Sequence, residues 1–443
     1  MVPIHPQRNA IDRTVSWGKD EYTDWMDESM SWKTTCYVGD WSWLPELNVR
    51  GPDAERLLSD FTVNSLAAHD IGQAKHAIFC SHTGKVLGEG VLARLGPQEF
   101  ELNASGPVNL WLQYNLARGG YNAVAELRRT KTKLQVSGPN ALYLLEKLTR
   151  ESLRDIKFMR FRVVPLAGCD VAFLRQGMGG EIGFELHGPL AQLDTMLNAI
   201  LEAGQEFGIR RLGSRTALIN HLEAGFPTVN LDYLPATADK AEREFFDRYH
   251  TQLAPIGTIE WRVGVARVLK VRGSFEGDDI TAWYRSPVEL GWTRNIKFDH
   301  DFHGRAALEA EVAAPRRTIV ALVWNAEDVQ EVYASYFDGS PQPFEYMDMP
   351  RALLVCTYAS RVLAGGQDVG VATSRGYSFY YRKMISHCVI DIAHAQPGTE
   401  VTVIWGEPGK RQKEIRAVVH PYPFKRNMNR ETDLAALPAR PNA

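Results

Sequence analysis

Gln176, Glu181 and Glu185 are the residues whose types and spacing most directly suggest chemistry. They punctuate the run Gly177-Met178-Gly179-Gly180-Glu181-Ile182-Gly183-Phe184-Glu185-Leu186. Four glycines in seven positions mark a loop where backbone approaches something closely or takes positive φ. The apolar run Val171-Ala172-Phe173-Leu174 before it reads as a short buried strand, and apolar character resumes from Ile182 to Leu186. Glu185 stands inside that second run. A carboxylate there needs a hydrogen-bond donor, because an unpaired buried charge costs on the order of several kcal/mol. A planar heterocycle carrying an amino group and ring N–H groups is one such donor. A β-hairpin with an outward Glu is the other reading of the same residues.

A second stretch, Asp299-His300-Asp301-Phe302-His303, holds metal-ligating residue types. No His-x3-His helix or cysteine set completes a site, so no metal is expected. The elements that must position the loop are legible around it. Trp17, Trp25 and Trp32 fall near helical spacing and suit core packing. Arg50-Gly51-Pro52-Asp53-Ala54 is a turn running into a helix. His76 to Cys80 and Val86 to Arg94 flank a turn at 81–85 as a hairpin, and a third strand follows at Glu99 to Ala104. Leu134 to Ala141 repeats the strand, Gly-Pro, helix pattern, which suggests two related halves around a common centre. Leu190 to Phe207 is an amphipathic helix closed by Gly208. From Ile319 to Gly406, short strands separated by turn signals suit a small β-barrel, and the polar tail after Lys425 suits loose order.

The glycine-rich loop resembles the Gly-Tyr-Thr-Gly-Glu-x-Gly-Phe-Glu signature of the glycine-cleavage T-protein (aminomethyltransferase) superfamily, whose members bind tetrahydrofolate. Further family elements occur in the same order: Arg50-Gly51-Pro52-Asp53-Ala54 with Asn64, Asn103-Ala104, Arg215 with Leu222-Glu223-Ala224-Gly225, and Phe302-His303-Gly304-Arg305-Ala306-Ala307-Leu308. The resemblance runs from about Glu21 to about Phe424. Where T-proteins carry an Asp pair, this chain has Gly88 and Glu89. Loss of the first Asp is similar to the aromatic O-demethylase branch, which contains vanillate and syringate demethylases.

The resemblance implies an α+β, three-domain cloverleaf of the aminomethyltransferase type, with two α/β folate-binding domains and a small C-terminal β-barrel. Residues 1–48 together with 134–235 would form the first folate-binding domain and 49–133 the second α/β domain. Residues 236–312 would be a connecting helical segment, 313–425 the barrel and 426–443 the tail. The implied reaction is transfer of the methyl group of an aromatic methyl ether to N5 of tetrahydrofolate, giving a phenol and 5-methyltetrahydrofolate. Glu185 would hold the pterin, with Asn103, Gln176, Arg215 and Phe226 lining the same pocket and Glu181 a weaker candidate.

The substrate side departs from the family pattern. Ala217 aligns with the catalytic Tyr of vanillate demethylase, Ser105 with an Arg, and Ser42-Trp43 with a His pair. Trp43, Ser105 and Ala217 thus imply an apolar or aromatic substrate pocket with a changed grip on any carboxylate. Such a pocket suits a leaving phenolate that is already stable, as in chlorinated, dicamba-type methoxybenzoates. His221 or Tyr233 would replace the missing proton donor. A sulfonium- or amine-methyl (aminomethyl) transferase and a non-catalytic folate binder of the same fold are the alternatives.

Composition narrows the partners. A length of 443 residues allows two or three domains with real cores. A net charge of −3 supplies no electrostatic drive toward nucleic acid or an anionic membrane. No apolar run reaches the roughly 18 residues that span a bilayer, and Met1-Val2-Pro3-Ile4-His5-Pro6 lacks the parts of a secretory signal. Cys36, Cys80, Cys169, Cys356 and Cys388 are scattered without a Cys-x-x-Cys, as for reduced thiols. A soluble, cytoplasmic protein is expected.

Overall fold

The computed structural model describes residues 19–104, 107–251, 271–351 and 358–439. Helix α1 (Trp25–Thr34) and strands β1 (Cys36–Asp40) and β2 (Glu46–Arg50) open the chain and lead into α2 (Ala54–Phe61). Strands β3 (Ala74–Cys80), β4 (Val86–Gly96) and β5 (Glu99–Ala104) follow, then α3 (Val108–Arg118) and β6 (Val124–Arg128). Next come β7 (Leu134–Ser137), α4 (Ala141–Thr149), β8 (Phe161–Leu166), β9 (Cys169–Arg175) and β10 (Gly183–His187). The middle of the chain is completed by α5 (Leu193–Gly204), β11 (Ile209–Arg211) and the short α6 (Ile219–Ala224). Helices α7 (Arg243–Thr251) and α8 (Arg305–Ala313) connect to a strand-rich last third. It comprises β12 (Arg317–Trp324), α9 (Ala326–Ala334), β13 (Ser360–Ala364), β14 (Gln367–Ser378), β15 (Lys383–Asp391), β16 (Glu400–Trp405) and β17 (Lys413–His420).

Two open sheets and one closed barrel result. The first sheet has the order β11-β1-β7-β10-β9-β8 and the second β3-β4-β5-β2-β6, while β12-β15-β14-β13-β16-β17 closes as a six-stranded barrel. This is the mixed, three-unit architecture implied above. The local reasons are those of the sequence. Asp24 accepts from the Met26 and Asp27 backbone N–H groups and so starts α1. Gly208 ends the helical run at φ +68°. Trp32 is fully buried, whereas Trp17 lies outside the described residues.

The tail differs from its expectation. Arg154 Nη1 donates to the Leu434 carbonyl, Arg175 Nη2 donates to the Thr432 carbonyl, and Leu434 is buried in the core of the first sheet. A polar composition hid one apolar anchor and the carbonyls that two arginines needed. Among the described residues no helix is long and apolar enough to cross a membrane.

Candidate functional site

β10 lies between β7 and β9, so its successive side chains face opposite sides of a sheet interior. Phe184 and Leu186 enter the first core, and Glu185 lines a cavity of about 1140 Å³ on the other side. Gln135 on β7 stands directly opposite Glu185, which puts both side chains on one face. Gln176 follows β9 beside them. Its Nε2 donates to Glu185 Oε2 at 2.6 Å, and His187 Nε2 lies 2.5 Å from Oε1. Gln135 Nε2 donates to the Gln176 carbonyl at 3.0 Å. Burial pushes the Glu185 carboxyl up, but His187, Lys133 and Gln176 outweigh it, and the net displacement is below the ordinary value. A buried carboxylate is thus held ionised.

The loop between β9 and β10 needs its glycines for two distinct reasons. Gly180 has φ +75°, and a Cβ on Gly177 would sit 1.9 Å from the Glu181 carbonyl oxygen. Glu181 does not line the cavity. Its carboxylate takes Lys425 Nζ and, at 3.0 Å, Asn429 Nδ2, which ties the tail to the loop.

The second sheet supplies the facing wall. Asn103 ends β5, and His76 on β3 and Glu89 on β4 pair at 3.0 Å between Nε2 and Oε2. Asn295 Nδ2 lies 3.3 Å from His76 Nδ1 and also donates to its carbonyl at 3.1 Å. The His76 ring is edge-on to Trp292 and tilted against Phe226. His221, at the start of α6, stacks on Trp41 with centroids 6.3 Å apart. Burial drives His221 down to about 3, assisted by the charge of Arg351, so its ring is neutral at physiological pH. Thr228 Oγ1 is 3.4 Å from its Nδ1, and Nε2 has no partner among the described residues.

Glu185, Asn103, Gln176, Phe226, His221 and Trp43 therefore line one cavity. Arg215 lies elsewhere: its Nε is 2.8 Å from Glu21 and its Nη1 donates to the Met349 carbonyl. Its long side chain links the N-terminal segment to residues near the barrel. Ala217 is sealed in a core with Trp32, Tyr37 and Trp41, and Tyr233 is fully buried behind Trp292. Ser105 is outside the described residues. The His76–Glu89 pair was not singled out from sequence. Its trace was an acidic residue beside Gly88, but its imidazole partner depends on strand register.

A cavity lined by buried acceptors and aromatic rings suits a planar polar heterocycle. The chain belongs to the family described as GCVT N-terminal domain, whose model matches residues 9–241. It is 36% identical over 433 residues to a sesamin methylene transferase of Sinomonas sp. (strain No.22), covering 94% of this chain and 93% of that protein. It is 32% identical to a syringate O-demethylase of Sphingobium sp. (strain NBRC 103272 / SYK-6), covering 91% and 89%. The fold is that of the glycine cleavage system aminomethyltransferase T from Bartonella henselae, with TM-score 0.66, 17% identity and coverage of 95% and 97%.

Membership brings tetrahydrofolate as cofactor and makes the chain a tetrahydrofolate-dependent methyltransferase by class. The residues present fit that group. Gln135 Oε1 and Asn103 Oδ1 are buried acceptors without a partner among the described residues, in the cavity that the ionised Glu185 also lines. A ring bearing N–H donors is the complement of such a wall.

Proposed function

We propose that this enzyme transfers the methyl group of an aromatic methyl ether, of the methoxybenzoate class, to N5 of tetrahydrofolate. The observation that carries the reading is one cavity lined both by the acceptors Glu185, Gln135 and Asn103 and by the rings of Trp41, Trp43, Phe226 and Trp292. Its volume of about 1140 Å³ exceeds the roughly 300–1000 Å³ of a pocket for one small ligand. Two planar molecules held side by side convert a bimolecular step into an oriented one. Tetrahydrofolate, when bound, supplies the nucleophilic nitrogen.

Glu185, Gln135 and Asn103 orient that cofactor through its N–H groups, and the rings orient the donor and exclude water. As the ether C–O bond breaks, its electron pair stays on oxygen, while the methyl carbon bonds to nitrogen. His76 and Glu89 form the imidazole–carboxylate pair with both members on the wall among the described residues. They take the proton that nitrogen releases and return it to the phenolate oxygen, so the step is redox-neutral. The neutral His221 serves as a hydrogen-bonding group, not as a cationic acid. Lys75, Arg294 and Lys297, also on the wall, give counter-charge for a carboxylated donor, chlorinated benzoates included.

A second donor, a methylenedioxyarene, is favoured by the 36% identity to a sesamin methylene transferase. There two C–O bonds break and two C–N bonds form, giving a catechol and 5,10-methylenetetrahydrofolate. Anaerobic incubation with tetrahydrofolate and vanillate, syringate, a chlorinated methoxybenzoate or methylenedioxybenzene separates the readings by product mass. 5-Methyltetrahydrofolate from a methoxybenzoate supports the first and the methylene product supports the second. Bound folate with no product from any ether would remove both and favour an amine or sulfonium donor, or a non-catalytic folate binder.

A further inference from the structure

Away from the cavity, three distant segments bring nitrogen and oxygen ligands together. His82 lies in the turn between β3 and β4, Asp239 and Glu242 bracket the 3-10 turn Lys240–Glu242, and His303 precedes α8. One ligand atom each of His82, Asp239 and Glu242 lies within 4.8 Å of the others. His82 Nδ1 is 3.1 Å from Glu242 Oε2, and His303 Nε2 is 2.6 Å from Glu242 Oε1. Asp239 and Glu242 are only 7% and 3% exposed, and among the described residues neither forms an ion pair with a Lys or Arg. Asp239 Oδ2 takes the hydroxyls of Ser81 and Thr83, which fixes the carboxylate's orientation.

Glu242 is paired with two imidazoles and Asp239 with two hydroxyls, so neither buried carboxylate has a permanently charged partner among the described residues. One imidazole and two carboxylates are three donors for a four-coordinate divalent ion whose fourth position a water can fill, and His303 holds Glu242 from outside that set. Ligands at about 2.0–2.2 Å from zinc stand roughly 3.4 Å apart in a tetrahedron; here His82 Nδ1 is 3.1 Å from Glu242 Oε2 and the three ligand atoms all lie within 4.8 Å of one another. Hydroxyl bonds to a ligating carboxylate are the usual outer support of such a site.

We propose that His82, Asp239 and Glu242 bind a divalent cation of the zinc class, with His303 bonded to Glu242 as its outer support. The ion replaces the His82–Glu242 contact with metal–ligand bonds and, through His303 on Glu242, staples the β3–β4 hairpin to the segments at 239–242 and 302–305. Those segments already abut, since a Cβ on Gly304 would lie 2.4 Å from the Ser81 carbonyl oxygen. The role is structural, because the same hairpin carries His76 and Glu89 of the cavity wall.

The test uses the full chain, dialysed against chelator and titrated with Zn2+ alone by calorimetry, with thermal unfolding measured alongside. One ion per chain is expected, with a higher Tm in Zn2+ than in chelator. His82→Ala and His303→Ala should each weaken binding at least tenfold and lose the Tm response. Should a variant fail to fold, Co2+ on the wild type gives an independent readout through the intense visible absorption of tetrahedral coordination. No binding, an unchanged Tm, or binding unaffected in both His variants (an adventitious ion only) would overturn the proposal.

Discussion

Glu185→Gln removes one charge from the cavity wall and almost nothing from its volume. In the folded protein Oε2 accepts from Gln176 at 2.6 Å and Oε1 is 2.5 Å from His187 Nε2. A glutamine keeps one acceptor, and its NH2 then meets either the Gln176 amide, donor against donor, or the His187 ring, whose Nε2 must switch to accepting. A hydrogen bond to a charged group contributes about 1.5–3 kcal/mol. At a factor of ten per 1.4 kcal/mol, losing one such bond to the cofactor weakens tetrahydrofolate binding about 10- to 150-fold. Anaerobic tryptophan-fluorescence titration reads this directly, with Tm measured on the same sample. Asn103→Ala removes a neutral partner, about 1 kcal/mol, and should weaken binding only about fivefold. A Glu185→Gln protein of wild-type Tm that binds tetrahydrofolate within about threefold of the wild type would refute the assignment of the acceptor wall.

Three further outcomes are expected from the packing. A Cβ on Gly88 would lie 2.6 Å from Val108 Cβ, so Gly88→Ala should lose about 1–3 kcal/mol in urea unfolding. An unchanged urea midpoint would contradict the steric account. Glu223 is buried and receives Trp32 Nε1, Ser378 Oγ and Lys33 Nζ at 3.0, 2.6 and 2.9 Å. Glu223→Ala strands the Lys33 ammonium, and a loss of about 3–5 kcal/mol is expected, against which a cost below about 1 kcal/mol would count decisively. His221 has a folded value of about 3 against an ordinary 6.5, so the unfolded chain binds the extra proton. Its contribution to stability is complete above 6.5 and is lost as pH falls from there toward 3, at up to about 1.4 kcal/mol per pH unit. His221→Asn should flatten the acid limb of stability over that range, and an identical slope in both proteins would show that burial of the neutral ring is not the cause.

Much of the site was readable before the fold. The alternation Phe184-Glu185-Leu186 announces a strand with one acidic side chain opposed to an apolar face, and the glycines before it announce a close backbone approach. Gly208 marked the end of its helix, and the short strands after Ile319 became the barrel. Those are local properties, set by side-chain period and backbone sterics within a few residues. The motif order also carried family and cofactor, since each motif is contiguous in sequence.

What the sequence left open was every relation set by register or by closure between units. Gln135 meets Glu185 because β7 pairs with β10 in one register, and a slip of one residue would turn it to the other face. His76 finds Glu89 on the neighbouring strand, while Arg215 reaches away to Glu21 and Met349. His303 leaves the His-Asp run it belongs to in sequence and joins His82 and Glu242. The sequence by itself determined the elements and the glycine loop, because those follow from short-range sterics and pattern, and its resemblance to the family carried the cofactor class. Only the tertiary structure decided which polar groups share a wall, because long-range pairing is chosen by the burial of whole faces, not by any residue's own preference.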